Sequence, residues 1–117
     1  MTRVLVHDDD VVLAELMRAV LDEAGHDAVM ATSAADLPAG PFDCVVTDLP
    51  AMGAYTLGAA QVWLAGLEAA YTGVPVIVVT GHSQAFRDVA ALGVRRVITK
   101  PFDLDRLTAA VGDAITS

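Results

Sequence analysis

Short β-branched runs alternate along the chain with stretches whose apolar residues recur every three or four positions, the pattern of βαβ units around a parallel sheet. The runs predict strands over Arg3 to His7, Ala28 to Thr32, Phe42 to Asp48, Val76 to Thr80 and Arg96 to Thr99. Val76-Ile77-Val78-Val79 has no polar residue, as expected of a strand covered by helices on both faces. Between the first two strands, Leu13, Leu16, Met17, Val20, Leu21 and Ala24 predict a helix, with Asp10 as N-cap and Gly25 as C-terminal stop. Further helices are predicted over Ala54 to Ala70, over Gln84 to Leu92, and through Leu104, Leu107, Val111 and Ile115. Between strands two and three, Pro38, Gly40 and Pro41 leave Ser33 to Gly40 room for little more than one turn, so the second helix is expected to be stunted. The expected class is α/β, a doubly wound five-stranded parallel sheet with a shortened second helix.

At 117 residues the chain is expected to form a single domain. A hydrophobic content of 55% and a mean hydropathy of +0.54 supply a core and exclude a disordered chain. The apolar runs fall short of the roughly 20 residues a spanning helix needs. The start, Met-Thr-Arg-Val-Leu-Val-His-Asp, lacks the apolar stretch of a signal peptide, so the expected location is cytoplasmic. Cys44 is the single cysteine and reads as a buried strand thiol. Seven basic against fifteen acidic residues give a net charge of -8, which disfavours nucleic acid and anionic lipid and favours cations and basic protein surfaces.

In an open parallel sheet, ligands bind beyond the carboxyl ends of the strands. Here strand one ends in Asp8-Asp9-Asp10, strand three in Asp48, strand four in Thr80-Gly81 and strand five in Lys100-Pro101. Carboxylates gathered within a few ångströms repel one another, so a hard divalent cation such as Mg²⁺ or Mn²⁺ is the expected occupant. Beside it, Asp48 can attack a phosphorus atom while Lys100 adds positive charge and Thr80 offers a hydroxyl donor.

These stretches, taken together and in order, resemble the receiver domain of two-component response regulators over nearly the whole chain. The matching pieces are Val4-Leu5-Val6-His7-Asp8-Asp9-Asp10, Val45-Val46-Thr47-Asp48-Leu49, Pro75-Val76-Ile77-Val78-Val79-Thr80-Gly81 and Thr99-Lys100-Pro101-Phe102-Asp103. The resemblance implies a flavodoxin-like sheet of strand order 2-1-3-4-5. It also implies Asp48 as phosphoacceptor, Asp8 and Asp9 as the acidic pair of the metal site, the Pro50 carbonyl as a further metal ligand, and Thr80 and Lys100 as hydroxyl and amine partners. A cis peptide bond before Pro101 is part of the same expectation. The implied partners are a histidine kinase or phosphotransfer protein and a downstream effector or linked output domain, with a homodimer through the fourth and fifth helices as a further option.

The chain departs from that family at two places. The loop after the acceptor reads Leu49-Pro50-Ala51-Met52-Gly53-Ala54-Tyr55 in place of a Met-Pro-Gly-Met-Asp-Gly-like run, and Val97 stands where many receivers carry a switch tyrosine or phenylalanine. These departures motivate a second reading, a receiver-fold interaction module that works largely without phosphate. An aspartate-based phosphatase is disfavoured by Pro50, which stands where a second aspartate would be needed. A flavodoxin-like flavin site is disfavoured by three aspartates that would repel the phosphate. No substrate turnover beyond the chain's own Asp48 is expected.

Other polar residues read more plainly. Asp10 is a helix cap, His7 a packed or hydrogen-bonded strand residue, His26 a turn residue and His82 a loop residue near Thr80. Arg95-Arg96 reads as a solvated pair and Trp63 as a core or interface anchor. No output domain is legible after Ile115, so the chain reads as a stand-alone receiver or as a piece of a larger regulator.

Overall fold

The computed structural model describes residues 1–49 and 53–116. Strands β1 (Arg3–His7), β2 (Asp27–Ala31), β3 (Cys44–Thr47), β4 (Val76–Thr80) and β5 (Arg96–Thr99) form one sheet in the order β2-β1-β3-β4-β5. Every neighbouring pair is parallel. The order reverses direction between β1 and β3, so the carboxyl ends of these two strands open into the crevice where such sheets bind ligands. The register sets His7 opposite Thr47 and Thr80 opposite Thr99.

Side chains alternate between the two faces of the sheet. Val4, Val6, Val46, Ile77, Val79 and Ile98 meet Met17 and Leu21 of helix α1 (Val11–Glu23) and Leu107 and Val111 of helix α4 (Leu104–Thr116). Leu5, Val45, Val78 and Val97 meet Leu64 and Leu67 of helix α2 (Leu57–Ala70) and Leu92 of the short helix α3 (Val89–Leu92). Helix α1 is capped at Asp10, whose Oδ1 accepts from the Leu13 N–H at 3.2 Å, and Gly25 follows its end with φ +100°. Among the described residues, no helix is long and apolar enough to cross a membrane.

Four boundaries differ from expectation. Strand two is displaced by one residue, to Asp27–Ala31, and strand three is trimmed at both ends, to Cys44–Thr47. Helix α2 begins at Leu57 and not at Ala54, because the Thr56 hydroxyl accepts from the Ala59 N–H at 3.2 Å and starts the helix there. The predicted helix over Gln84 to Leu92 is largely replaced by a 3₁₀ segment, Ser83–Asp88, leaving four α-helical residues. That segment buries only Ala85, and Phe86 is 63% exposed, so it offers the sheet no continuous apolar stripe. The stunted second helix is a single 3₁₀ turn, Ala34–Asp36, started by the Ser33 hydroxyl. The peptide bond before Pro101 is cis, and so is the bond before Pro41.

Candidate functional site

Three strand ends converge above the middle of the sheet. Asp8 follows β1 and is anchored by its N–H on the Ala31 carbonyl, while Asp48 follows β3 and is anchored by its N–H on the His7 carbonyl. Lys100 follows β5, its N–H held by the Thr80 carbonyl at 2.8 Å. From these points the ammonium of Lys100 reaches Oδ2 of Asp8 at 2.9 Å and Oδ2 of Asp48 at 3.3 Å. Oδ1 of Asp8 accepts from the Asp10 N–H at 2.9 Å, and Oδ1 of Asp48 accepts from the Leu49 N–H at 2.8 Å. Each of the two carboxylates is therefore held from both sides.

Asp9 completes the group. One carboxylate oxygen from each of Asp8, Asp9 and Asp48 lies within 4.8 Å of the others. Asp8 is fully buried, Asp48 half-buried and Asp9 exposed, so the cluster has a closed floor and an open mouth. Burial pushes the Asp8 carboxyl above its ordinary range, and the charge of Asp48 acts in the same direction. The Lys100 ammonium and the Asp10 N–H pull it back only in part. Burial works against the Lys100 charge, but its bond to Asp8 and the nearby charge of Asp48 outweigh that and hold its pKa above the ordinary value. Three acids balanced by one ammonium leave a surplus of negative charge on hard oxygen donors, and this donor set fits a Mg²⁺-type cation.

Thr80 ends β4 fully buried, and its Oγ1 accepts from the His82 N–H at 3.1 Å. Among the described residues its own proton meets no acceptor and is free for donation. Pro50, expected to lend a carbonyl to the metal, lies outside the described residues. Asp10 caps its helix and Cys44 is a buried thiol, pushed up to about 12 by burial. Arg96 is exposed and pairs with Asp113 at 3.7 Å. Val97, 3% exposed, is part of the core on the α2 side.

Sequence reasoning passed over one group beside Asp48. Thr47 precedes Asp48, is fully buried, and meets His7 and Trp63. Half of the signal was present, since His7 and Thr47 are polar residues inside apolar strand runs; the register that sets both side chains on one face emerges only in the folded sheet.

An apolar ledge borders the site. Val12, Leu13 and Leu16 of α1 face Pro101, Phe102 and Leu104 across a groove with Asp10 and Lys100 at its edge. Val12 is 72% exposed and Leu16 51% exposed.

With this geometry in place, the family model described as the response regulator receiver domain matches residues 4–112. The chain belongs to that receiver family. It is 32% identical over 120 residues to the transcriptional regulatory protein FixJ of Bradyrhizobium diazoefficiens, covering 96% of this chain and 56% of FixJ. It is 31% identical to the DNA-binding transcriptional regulator NtrC of Rhizobium meliloti, covering 96% of this chain and 24% of NtrC. The receiver fold is also that of the response regulator TrrA from Thermotoga maritima, solved in complex with Mg(2+)-BeF. The two share 24% identity at a TM-score of 0.75, covering 97% of this chain and 99% of that one. This receiver thus spans about half the length of FixJ and a quarter of NtrC.

Proposed function

We propose that this receiver is a phosphorylation switch whose acceptor is Asp48. The observation that carries the reading is the Lys100 ammonium bridging Asp8 and Asp48, with Asp9 completing an acidic cluster at the crevice of the sheet. An Asp48 carboxylate oxygen attacks the phosphorus of a phosphohistidine. The new P–O bond makes an acyl phosphate while the P–N bond breaks, and the leaving imidazole nitrogen keeps the electron pair. Lys100 faces the charge that gathers on the transferring oxygens, and the Thr80 hydroxyl has a proton to donate to one of them. Asp8, Asp9 and Asp48 are the ligands on the described residues that would hold Mg²⁺ or Mn²⁺, with the Pro50 carbonyl as the fourth proposed ligand. Bound there, the ion supplies offsetting positive charge. The description of TrrA as a Mg(2+)-BeF complex supports such a site on this fold. The chemistry is confined to the chain's own carboxylate, with no separate substrate turned over.

The proposed donor is a histidine kinase or phosphotransfer protein. Kinship with FixJ and NtrC supports an output that lies in a linked domain or a separate effector. The charge of -8 supports a domain that does not itself touch nucleic acid or membrane, in keeping with a cytoplasmic setting.

The test is direct: incubate the protein with Mg²⁺ and acetyl phosphate and measure the intact mass. Gain of one phosphoryl group supports the switch; an unmodified chain under forcing conditions favours an interaction module that works without phosphate. The ledge of α1 suits a donor that presents an apolar helical face, so Leu16→Glu should slow transfer from a protein donor by about tenfold or more. Uptake from acetyl phosphate should be unchanged, because a small donor does not need the ledge. Equal slowing with both donors would count against the ledge as the docking surface.

A further inference from the structure

Beneath the acceptor lies a buried polar group that the transfer chemistry does not use. A threonine hydroxyl has one proton and two lone pairs, and Thr47 commits all three. Its Oγ1 donates to the Asp48 carbonyl at 2.8 Å, accepts from the Trp63 indole N–H at 3.1 Å, and lies 3.0 Å from Nδ1 of His7. Because the single hydroxyl proton is engaged with Asp48, and the indole can only donate, His7 must donate from Nδ1. Its Nε2 is then a bare acceptor, buried without a hydrogen-bond partner among the described residues. A buried unpaired acceptor is destabilising, so the imidazole is offset chiefly by the Nδ1 bond to Thr47 and by packing on Trp63, whose ring centroid is 5.0 Å away.

The peptide unit held by this group is the one that aims the acceptor. The carbonyl of Asp48 is gripped by Thr47, and the N–H of the same peptide unit, on Leu49, donates to Asp48 Oδ1 at 2.8 Å. A rotation of that peptide plane moves both bonds together. The carboxylate orientation is thereby linked to the Thr47 hydroxyl, and the hydroxyl to a tryptophan on α2. Val97 removes the usual aromatic route through β5, whereas Trp63 places an aromatic ring one residue from the acceptor.

We propose that His7, Thr47 and Trp63 are positioning residues that aim the Asp48 carboxylate and carry its occupancy to helix α2. The inference rests on the phosphoacceptor reading above. Once Asp48 carries phosphorus, Oδ1 is no longer a carboxylate oxygen and accepts more weakly from the Leu49 N–H, so the peptide is freed to turn and Trp63 feels the change through Thr47.

Trp63 is the single tryptophan of the chain and reports on itself. Intrinsic fluorescence and intact mass are followed in parallel after Mg²⁺ and acetyl phosphate are added. The wild type is expected to change emission on the same time course as it gains mass. Thr47→Val keeps the shape without the hydroxyl. It should take up phosphoryl about three- to tenfold more slowly, the kinetic equivalent of one hydrogen bond, and lose most of the emission change. Thr47→Ser should restore both. Trp63→Phe, which keeps a ring but no N–H, should slow uptake to a similar degree and gives a second measure should Thr47→Val fail to fold. Wild-type uptake rates in Thr47→Val or Trp63→Phe, or an emission response untouched by Thr47→Val, would overturn the inference while leaving Asp48 as acceptor. Failure of the wild type to gain mass would overturn both.

Discussion

Replacing Asp48 with asparagine is expected to abolish phosphoryl uptake while leaving the fold intact. The amide keeps the shape of the side chain and an oxygen to accept from the Leu49 N–H, so local geometry has a ready substitute for the carboxylate. What it lacks is the anionic nucleophile, and no other described carboxylate has the same combination of partial exposure and contact with Lys100. Asp8 also meets the ammonium but is fully buried, and Asp9 is exposed. Intact mass after Mg²⁺ and acetyl phosphate should show a single unmodified species. A phosphorylated Asp48→Asn chain would move the acceptor elsewhere and sink the assignment.

Asp8→Asn should shift stability in opposite directions depending on metal. Burial, with the Asp48 charge beside it, raises the Asp8 carboxyl above its ordinary 3.8 despite Lys100. A carboxyl whose pKa is higher in the folded state binds more protons there. Its contribution to stability is therefore full below about 3.8 and is lost as pH rises through the elevated value. At pH values well above 3.8 the buried Asp8 carboxyl is a net cost to folding, and asparagine should raise metal-free stability in urea unfolding. The Lys100 contribution does not enter this window. Its pKa is raised from 10.5, so its stabilising share is intact at neutral pH and is lost only in the alkaline range above that value. Mg²⁺ should reverse the ranking. Binding at the proposed site of the folded wild type adds stability by mass action, and the variant lacks one of the charged ligands proposed for it. Equal stabilisation of both proteins by Mg²⁺ would remove Asp8 from the metal site.

Much of this architecture was legible because its signals are local. Apolar runs such as Val76 to Val79 declare a doubly covered strand, and the spacing of Leu13, Met17, Val20 and Leu21 declares the face of α1. The order of the strands came from resemblance, since pairing between distant segments leaves no periodic trace. The segment after β4 misled for a related reason. Ala85, Phe86, Val89 and Leu92 have helical spacing, yet Phe86 faces solvent and the segment tightens into a 3₁₀ run. At the site, acids and a lysine at strand ends could be read directly, because parallel sheets gather those ends on one edge. The contacts of Thr47 could not, because they depend on the register of β1 with β3 and on how α2 docks, neither of which one segment encodes.

The two faces of the sheet are clothed unequally. On one lie the 13-residue helices α1 and α4; on the other, the 14-residue α2 is followed only by a 3₁₀ run and four residues of α3. Short 3₁₀ turns have poorer bond geometry than α-helix, so main-chain amides around Ser83 to Leu92 should exchange with solvent well before those of α1. The domain thus has a stiff half and a pliant half, with Asp48 at the end of a strand of the sheet between them. Remodelling of the pliant half breaks few strong main-chain bonds, so under the proposed switch it is the side on which phosphorylation of Asp48 would grow into a new surface.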